Sequence, residues 1–362
     1  MAEALEHRLR ARIDADGPLP LDAFMGAAVE AYYARGDVFG VRGDFTTAPE
    51  ICQVFGEIIG LWAVVVWQQM GCPTAFRLVE LGPGRGTLMS DALRAAAAVP
   101  AFGAAADIHL VERSGALRTL QRATLKGHRV AWHDDLSGVP DGPMLLIANE
   151  FFDALPIVQL ERTPDGWHHR HVGLDDAGAF VFTAGPLATA DEVAALGAAF
   201  ADAGIGAIAE RSPASEAVAA AIAQRVAAEG GAALFIDYGY VASEPGDTLQ
   251  ALRAHHFHPP LESPGEVDLT AHVDFARLSD AAQKSGAASF GPVTQGRFLS
   301  SLGAEMRAKS LILKARPEQA VHLSTGLHRL IHPAEMGTLF KVLAVTDPAL
   351  PPPPGFEGPV SR

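Results

Sequence analysis

The sequence predicts an α/β fold built on a doubly wound, mostly parallel sheet of Rossmann-like type. Three observations carry it: an apolar run that closes in a glycine loop, later apolar runs that end in polar groups, and helical stretches between them. Residues 78–81 form the first run, with Glu80 as its one charge, and Gly82, Gly84 and Gly86 follow at alternate positions. Buried parallel strands read as such continuous runs, and a glycine turn at the carboxyl end lets backbone approach a ligand closely. Residues 88–94 then have helical composition, which completes strand, loop and helix.

The next run, 107–112, ends at Glu112, where an acid on the neighbouring strand tip bonds ribose hydroxyls. Residues 129–136 make a third, with Asp134 and Asp135 at its tip suited to an adenine amine. The fourth, 143–150, ends in Asn149 and Glu150; the fifth, 233–239, carries Asp237; residues 337–345 read as the last strand. Functional groups at the ends of several strands are much harder to obtain by accident than one glycine loop, so a cofactor site is predicted at that edge.

The glycine spacing narrows the cofactor. A dinucleotide fingerprint needs its third glycine two residues after the second. Here Gly86 comes one residue early, and Thr87 stands in that place. A carboxylate at Glu80 would repel a pyrophosphate but suits a cationic amino-acid end. S-adenosylmethionine, with an ammonium, a sulfonium and an adenosine, fits the set. It is expected to contact Gly82, Gly84, Glu112 and Asp135, and nicotinamide nucleotides are not expected to bind.

The flanking regions are different in kind. Residues 1–75 read as a helical N-terminal region covering the cofactor site, with Leu5, Leu9 and Ile13 at four-residue spacing and a turn at Gly17-Pro18. Thr47 is placed to cap a helix with Pro49 and Glu50 in its first turn, running on through Phe55, Ile58, Ile59 and Trp62. Thr46, Thr47, Pro49 and Glu50 are expected over the methionine end of the cofactor, where a helix start offers donors to a carboxylate. Residues 76–346 form the core, interrupted at about 157–230 and 250–335, and 347–362 are a proline-rich tail. Segments 157–159, 167–172 and 179–182, separated by turn residues, read as an antiparallel excursion. A later alanine-rich stretch is a helix capped by Ser212, with Val218, Ile222 and Val226 on one face.

Composition sets limits. At 362 residues and 49% hydrophobic, the chain can bury a large core of one elaborated domain or two. A net charge of -14 disfavours nucleic acid as a partner, because a phosphate footprint usually needs a basic face. Cys52 and Cys72 make neither a disulfide framework nor a metal pattern. The stretch 58–67 is too short to span a bilayer, and the first residues do not read as a signal peptide, so a cytoplasmic enzyme with no membrane insertion is expected. His168, His169 and His171, and later His255, His256 and His258, lack ordered ligand spacing, and no metal is predicted.

Several blocks together resemble one family. They are GDFTTAPEI at 43–51, FGE at 55–57, VELGPGRGTLM at 79–89, NEFFDALP at 149–156, DYG at 237–239, DLTAHVDF at 268–275, TQG at 294–296 and MGTLFKV at 336–342. In combination, over roughly residues 15–346, they resemble the S-adenosylmethionine-dependent methyltransferases that include the mitochondrial complex I assembly factor acting on protein arginine. The chain looks like a bacterial member. Ser114-Gly115 departs from the more usual Ser-Pro and should alter only that loop. The resemblance implies a class I methyltransferase fold with a mostly parallel seven-stranded sheet, a helical N-terminal region and inserted elements. It also implies dimethylation of an arginine on a protein, with a respiratory complex I subunit as the relative's target.

The acceptor chemistry has its own logic. A guanidinium, with a pKa above about 12, is a poor nucleophile until carboxylates hold it and a proton is accepted as the new bond forms. Glu150 and Asp153 stand at the fourth strand's tip for that role, with Asp237 a weaker candidate on the next strand, while Phe151 and Phe152 are suited to exclude water. Asp268, His272 and Asp274 either line an acceptor channel or cap a helix. Two other readings stand beside the protein-arginine one: an assembly or scaffold protein with little catalysis, and a methyltransferase of small molecules.

Overall fold

The computed structural model describes residues 2–35, 47–253 and 256–356. Its contacts divide the chain into two units, one of residues 46–152, 218–241 and 275–362, the other of residues 1–45, 153–217 and 242–274. The first holds the predicted sheet. Its strands are β1 (Phe76–Leu81), β2 (Ala106–Val111), β3 (Val130–His133), β4 (Met144–Asn149), β5 (Gly231–Tyr240), β6 (Ala288–Thr294) and β7 (Phe340–Thr346). Their order is 3-2-1-4-5-7-6, and β7 alone runs against its neighbours. The chain reverses direction across the sheet between β1 and β4, and in open α/β sheets ligands bind outside the strand ends at such a switch point.

Burial explains the runs. β4 and β7 are buried at every position, as strands covered on both faces should be. Around them packs a core that includes Phe55, Ile58, Trp62, Phe76, Phe102, Leu145, Leu234, Phe298 and Val342. Two helices, α1 (Ala48–Ile51) and α2 (Gln53–Gln69), precede the sheet, and α3 (Thr87–Ala96) follows the glycine loop. A Cβ on Gly60 would lie 2.4 Å from the Ala92 carbonyl oxygen, so only glycine lets α2 and α3 approach this closely.

The single helix expected from Thr47 to Trp62 is broken. Cys52 is extended (φ -157°, ψ 124°), and Thr47 caps without a side-chain hydrogen bond. The two pieces answer to different partners: α1 is fixed to groups at the strand tips, as described below, whereas α2 is set by its glycine contact with α3. The last strand begins at Phe340 rather than Gly337, because residues 333–337 form a kinked turn first, with Glu335 outside helical geometry.

The second unit contains helices Ala2–Asp16 and Leu21–Ala34 and an antiparallel sheet in the order Leu19–Pro20, Gly166–Leu174, Val158–Thr163, Ile208–Arg211, with Phe180–Leu187 also paired to Gly166–Leu174. Leu5, Leu9 and Ile13 are buried with Phe24, Met25 and Val172, as their spacing requires. Residues 1–75 therefore do not act as one region: the first two helices join this unit, while α1 and α2 join the core sheet. The expected interruption at 250–335 is likewise divided, since residues 275–335 belong with the core. Gln250–Arg253, His256–His258 and Asp268–Thr270 make a small antiparallel sheet, so Asp268 and Thr270 lie on a strand and not at a helix start. Among the described residues no helix is long and apolar enough to cross a membrane.

Candidate active site

The register of the central strands places the predicted groups by face. Glu80 is paired with Leu110 on one side and Ile147 on the other, and Leu110 with Trp132. Side chains two residues apart share a face, so Glu80 and Asn149 project from one side of the sheet near the switch point, while Glu112 and Asp134 follow the last residues of β2 and β3. Glu150 and Asp237 have the opposite parity. Gly82, Gly84 and Gly86 all have positive φ, at 56°, 52° and 80°, conformations that L side chains adopt at a cost. A Cβ on Gly82 would lie 3.1 Å from the Phe151 ring, which therefore borders the loop. Phe152 is buried instead against Phe235, with ring centroids 4.8 Å apart.

Two buried acceptors on the shared face have no hydrogen-bond partner among the described residues: Glu80 Oε2 and Asn149 Oδ1. Burial pushes the Glu80 carboxyl up to about 8, although the Met89 amide bonds it. Burial also raises Glu112, against bonds from the Ser114 amide and Gln121. Unpaired buried acceptors are costly, and a ligand carrying N–H donors and positive charge would satisfy them.

The other strand tips are held by backbone amides. Glu150 has φ +50°, a strained conformation for a residue with a side chain. Its Oε1 accepts from the Ala48 amide at 2.9 Å and from Asn149 Nδ2 at 3.1 Å. Asp237, fully buried, accepts from the Phe151, Phe152 and Tyr238 amides at 3.1, 3.0 and 3.0 Å. Those bonds make it a clamp on the turn after β4. Asp153 is buried and belongs by its contacts to the second unit, where its carbonyl accepts from the Ala271 amide.

The N-terminal block also reaches the loop. Glu50 accepts from the Thr87 hydroxyl and lies 4.0 Å from Arg85. Pro49 is buried, and Thr46 lies outside the described residues. At this helix start the Ala48 amide donates to Glu150. Asp134 pairs with Arg118 at 2.6 Å, while the Asp135 carboxylate caps the short turn that follows, bonding the Ser137 amide at 2.9 Å.

A sequence model of S-adenosyl-L-methionine-dependent methyltransferases matches residues 58–293. The chain belongs to that family. It is 35% identical to the mitochondrial protein arginine methyltransferase NDUFAF7 of Homo sapiens, over 92% of this chain and 81% of that protein. With the Drosophila melanogaster homologue it shares 36%, over 94% and 84%. Among solved structures, a Burkholderia thailandensis protein bound to S-adenosyl-homocysteine superposes with a TM-score of 0.84 at 31% identity, over 99% of this chain and 94% of that one. A native crystal structure from the same organism gives 0.81 at 32%, over 100% and 95%.

The methyltransferase is thus S-adenosylmethionine-dependent, and its residues fit that cofactor. The unpaired acceptors suit the ammonium, the positive-φ glycines leave backbone open to a ligand, and Glu112 stands at the tip of β2. Sequence reading missed Gln121. It is fully buried, and its Nε2 lies 2.8 Å from the Gly84 carbonyl and 3.3 Å from Glu112 Oε2. Its only signal was negative, a polar residue among the buried positions of an amphipathic helix. Around the histidines, His168 bonds Asp165 and the Gly185 carbonyl, and His169 pairs with Glu192. His255 lies outside the described residues. Among the described residues no group of three or more His, Cys, Asp or Glu is placed to hold a metal.

Proposed function

We propose that this methyltransferase acts on the guanidinium of an arginine in a protein. The observation that carries the reading is the likeness, at 35–36% identity over more than nine-tenths of this chain, to relatives named protein arginine methyltransferases. The resemblance of the sequence blocks points to a respiratory complex I subunit as the acceptor.

Bound S-adenosylmethionine supplies an electrophilic methyl group on a sulfonium. Everything else falls to the chain. Glu80 and Asn149 would receive the ammonium, Gly82, Gly84 and Gly86 would give backbone room, and Glu112 would take the ribose hydroxyls. Asp134 and Asp135 would serve the adenine end, and Thr47, Pro49 and Glu50 the methionine end. Glu150 orients the acceptor. Its strained backbone and its bonds from Ala48 and Asn149 fix the carboxylate before any ligand arrives, and preorganised charge of this kind is what stabilises a developing cation. The same carboxylate is suited to accept the proton released when nitrogen is methylated.

The test is mass spectrometry of proteins from cells with and without the gene, joined to methyl transfer in vitro from tritiated cofactor. A dimethylarginine lost in the deletion and restored by the purified enzyme supports the reading. Unchanged arginine methylation in the deletion, with no label on any arginine in vitro, overturns it.

A further inference from the structure

Gln121 sits on α4 (Gly115–Thr124), the helix after β2, and no solvent reaches it. Its amide is oriented by a neighbour with only one hydrogen-bonding role. The Trp132 indole N–H can only donate, and it donates to Gln121 Oε1 at 2.9 Å. The amide oxygen therefore faces Trp132, and the two N–H bonds face the other way. One meets the Gly84 carbonyl in the glycine loop, the other Glu112 Oε2. The second Glu112 oxygen accepts from the Ser114 amide at 2.8 Å, so the carboxylate is held at both oxygens. Arg122 lies over the Trp132 ring, 4.6 Å from its centroid, and covers the anchor.

We propose that Gln121 is a positioning residue of the cofactor pocket. It locks the carboxylate that reads the ribose to the loop that cradles the amino-acid end, so that ribose recognition depends on a side chain that does not touch the ribose. This rests on Glu112 being the ribose partner and is independent of what the acceptor is. Both ends of the link are in the same unit, on consecutive strand tips. Without the amide, Glu112 loses its side-chain restraint and the Gly84 carbonyl loses a buried donor.

The discriminating measurement is calorimetric affinity of the full-length protein for S-adenosyl-homocysteine and for its 2′,3′-dideoxyadenosyl analogue, which lacks the hydroxyls. The wild type should prefer the hydroxylated ligand by about tenfold or more, as a charge-assisted bond implies. In Gln121→Met that preference should collapse toward unity, with the loss confined to the hydroxylated ligand. Trp132→Phe, which removes the anchor and keeps Gln121, should move the ratio the same way by less. It also carries the test if Gln121→Met fails to give a wild-type circular dichroism spectrum. A preserved ratio in both variants, or equal losses for both ligands, would make Gln121 an ordinary core residue and overturn the proposal. So would a wild type indifferent to the hydroxyls. A protein that shows the predicted ratios but labels no arginine breaks the acceptor reading alone.

Discussion

The strand tips of the core unit and the sheet of the second unit hold carboxyl groups by different means. In the core unit, Asp237 and Glu150 are met by backbone amides: those of Phe151, Phe152 and Tyr238 in one case, that of Ala48 in the other. In the second unit, Glu210 accepts from Gln159 at 2.7 Å and from the Thr248 amide and hydroxyl, while Asp247 accepts from Gln159 and from Arg170 at 2.6 Å. Amides at a strand tip are fixed by the fold and cannot turn away. A network of side chains must order each of its members and is specified only by residues far apart in the chain. The first arrangement fixes charge at a strand tip; the second holds a sheet together.

The largest effect should come from the glycine loop. Gly84→Val places a β-branched side chain at φ +52°, in the loop the cofactor must approach. We expect affinity for S-adenosyl-homocysteine to fall by at least about a hundredfold, with the far-ultraviolet spectrum unchanged, by calorimetry and circular dichroism. Undiminished affinity would remove the loop from the site. Next is Glu150→Gln, which keeps an oxygen for Ala48 and Asn149 but deletes the charge. Turnover on an arginine peptide should drop by about a hundredfold or more while cofactor affinity stays within about threefold. A wild-type rate would return Glu150 to a purely structural role.

How much of this was legible follows the same division. Six of the seven core strands were readable as apolar runs, most with polar tips, and the glycine loop because its backbone needs residues without Cβ, whereas Ala288–Thr294 fell inside the stretch read as an interruption. Asp237 was found for its position at a strand tip, but sequence cannot say that the Phe151 and Phe152 amides come back to meet it. The break at Cys52 was invisible because apolar periodicity continues straight through it. The partners of Gln121 come from three segments, and those of Gln159 from residues 170, 210 and 247. No local pattern specifies either set. The strand Ile208–Arg211 was missed because its four residues lie between alanine-rich stretches that read as helix.

Asp237→Asn separates a clamp from a catalyst. It replaces one acceptor oxygen by an N–H group that must face an amide donor, so we expect a loss of stability of about 2–3 kcal/mol, read by chemical denaturation. An unchanged midpoint with lost turnover would restore Asp237 as a group acting on substrate. Glu80 gives a pH signature. Burial raises its carboxyl from 4.5 to about 8, so between those values the folded chain binds a proton that the unfolded chain has released. Stability therefore falls as pH rises through that window. Glu80→Gln, still able to accept from the Met89 amide, should flatten the decline and leave stability near pH 5 almost unchanged. A melting temperature with the wild-type slope from pH 5 to 8 would show that the folded state does not hold that proton.

The smallest effect is expected in the second unit, and it tests the comparison from the other side. His169 lies on the strand Gly166–Leu174, and its Nε2 is 3.1 Å from Glu192 Oε1, with side-chain exposures of 21% and 39%. Glu192 already accepts from the Thr189 amide and hydroxyl at 2.8 Å each, within a capping box. Losing the histidine therefore leaves no unpaired buried charge. A partly exposed pair of this kind contributes at most about 0.5 kcal/mol. His169→Ala should accordingly leave the denaturation midpoint and the turnover within error of wild type. If it instead abolished methyl transfer while the protein stayed folded, chemistry would reside among side chains of the second unit, and the contrast between a preorganised edge and a supporting network would fail.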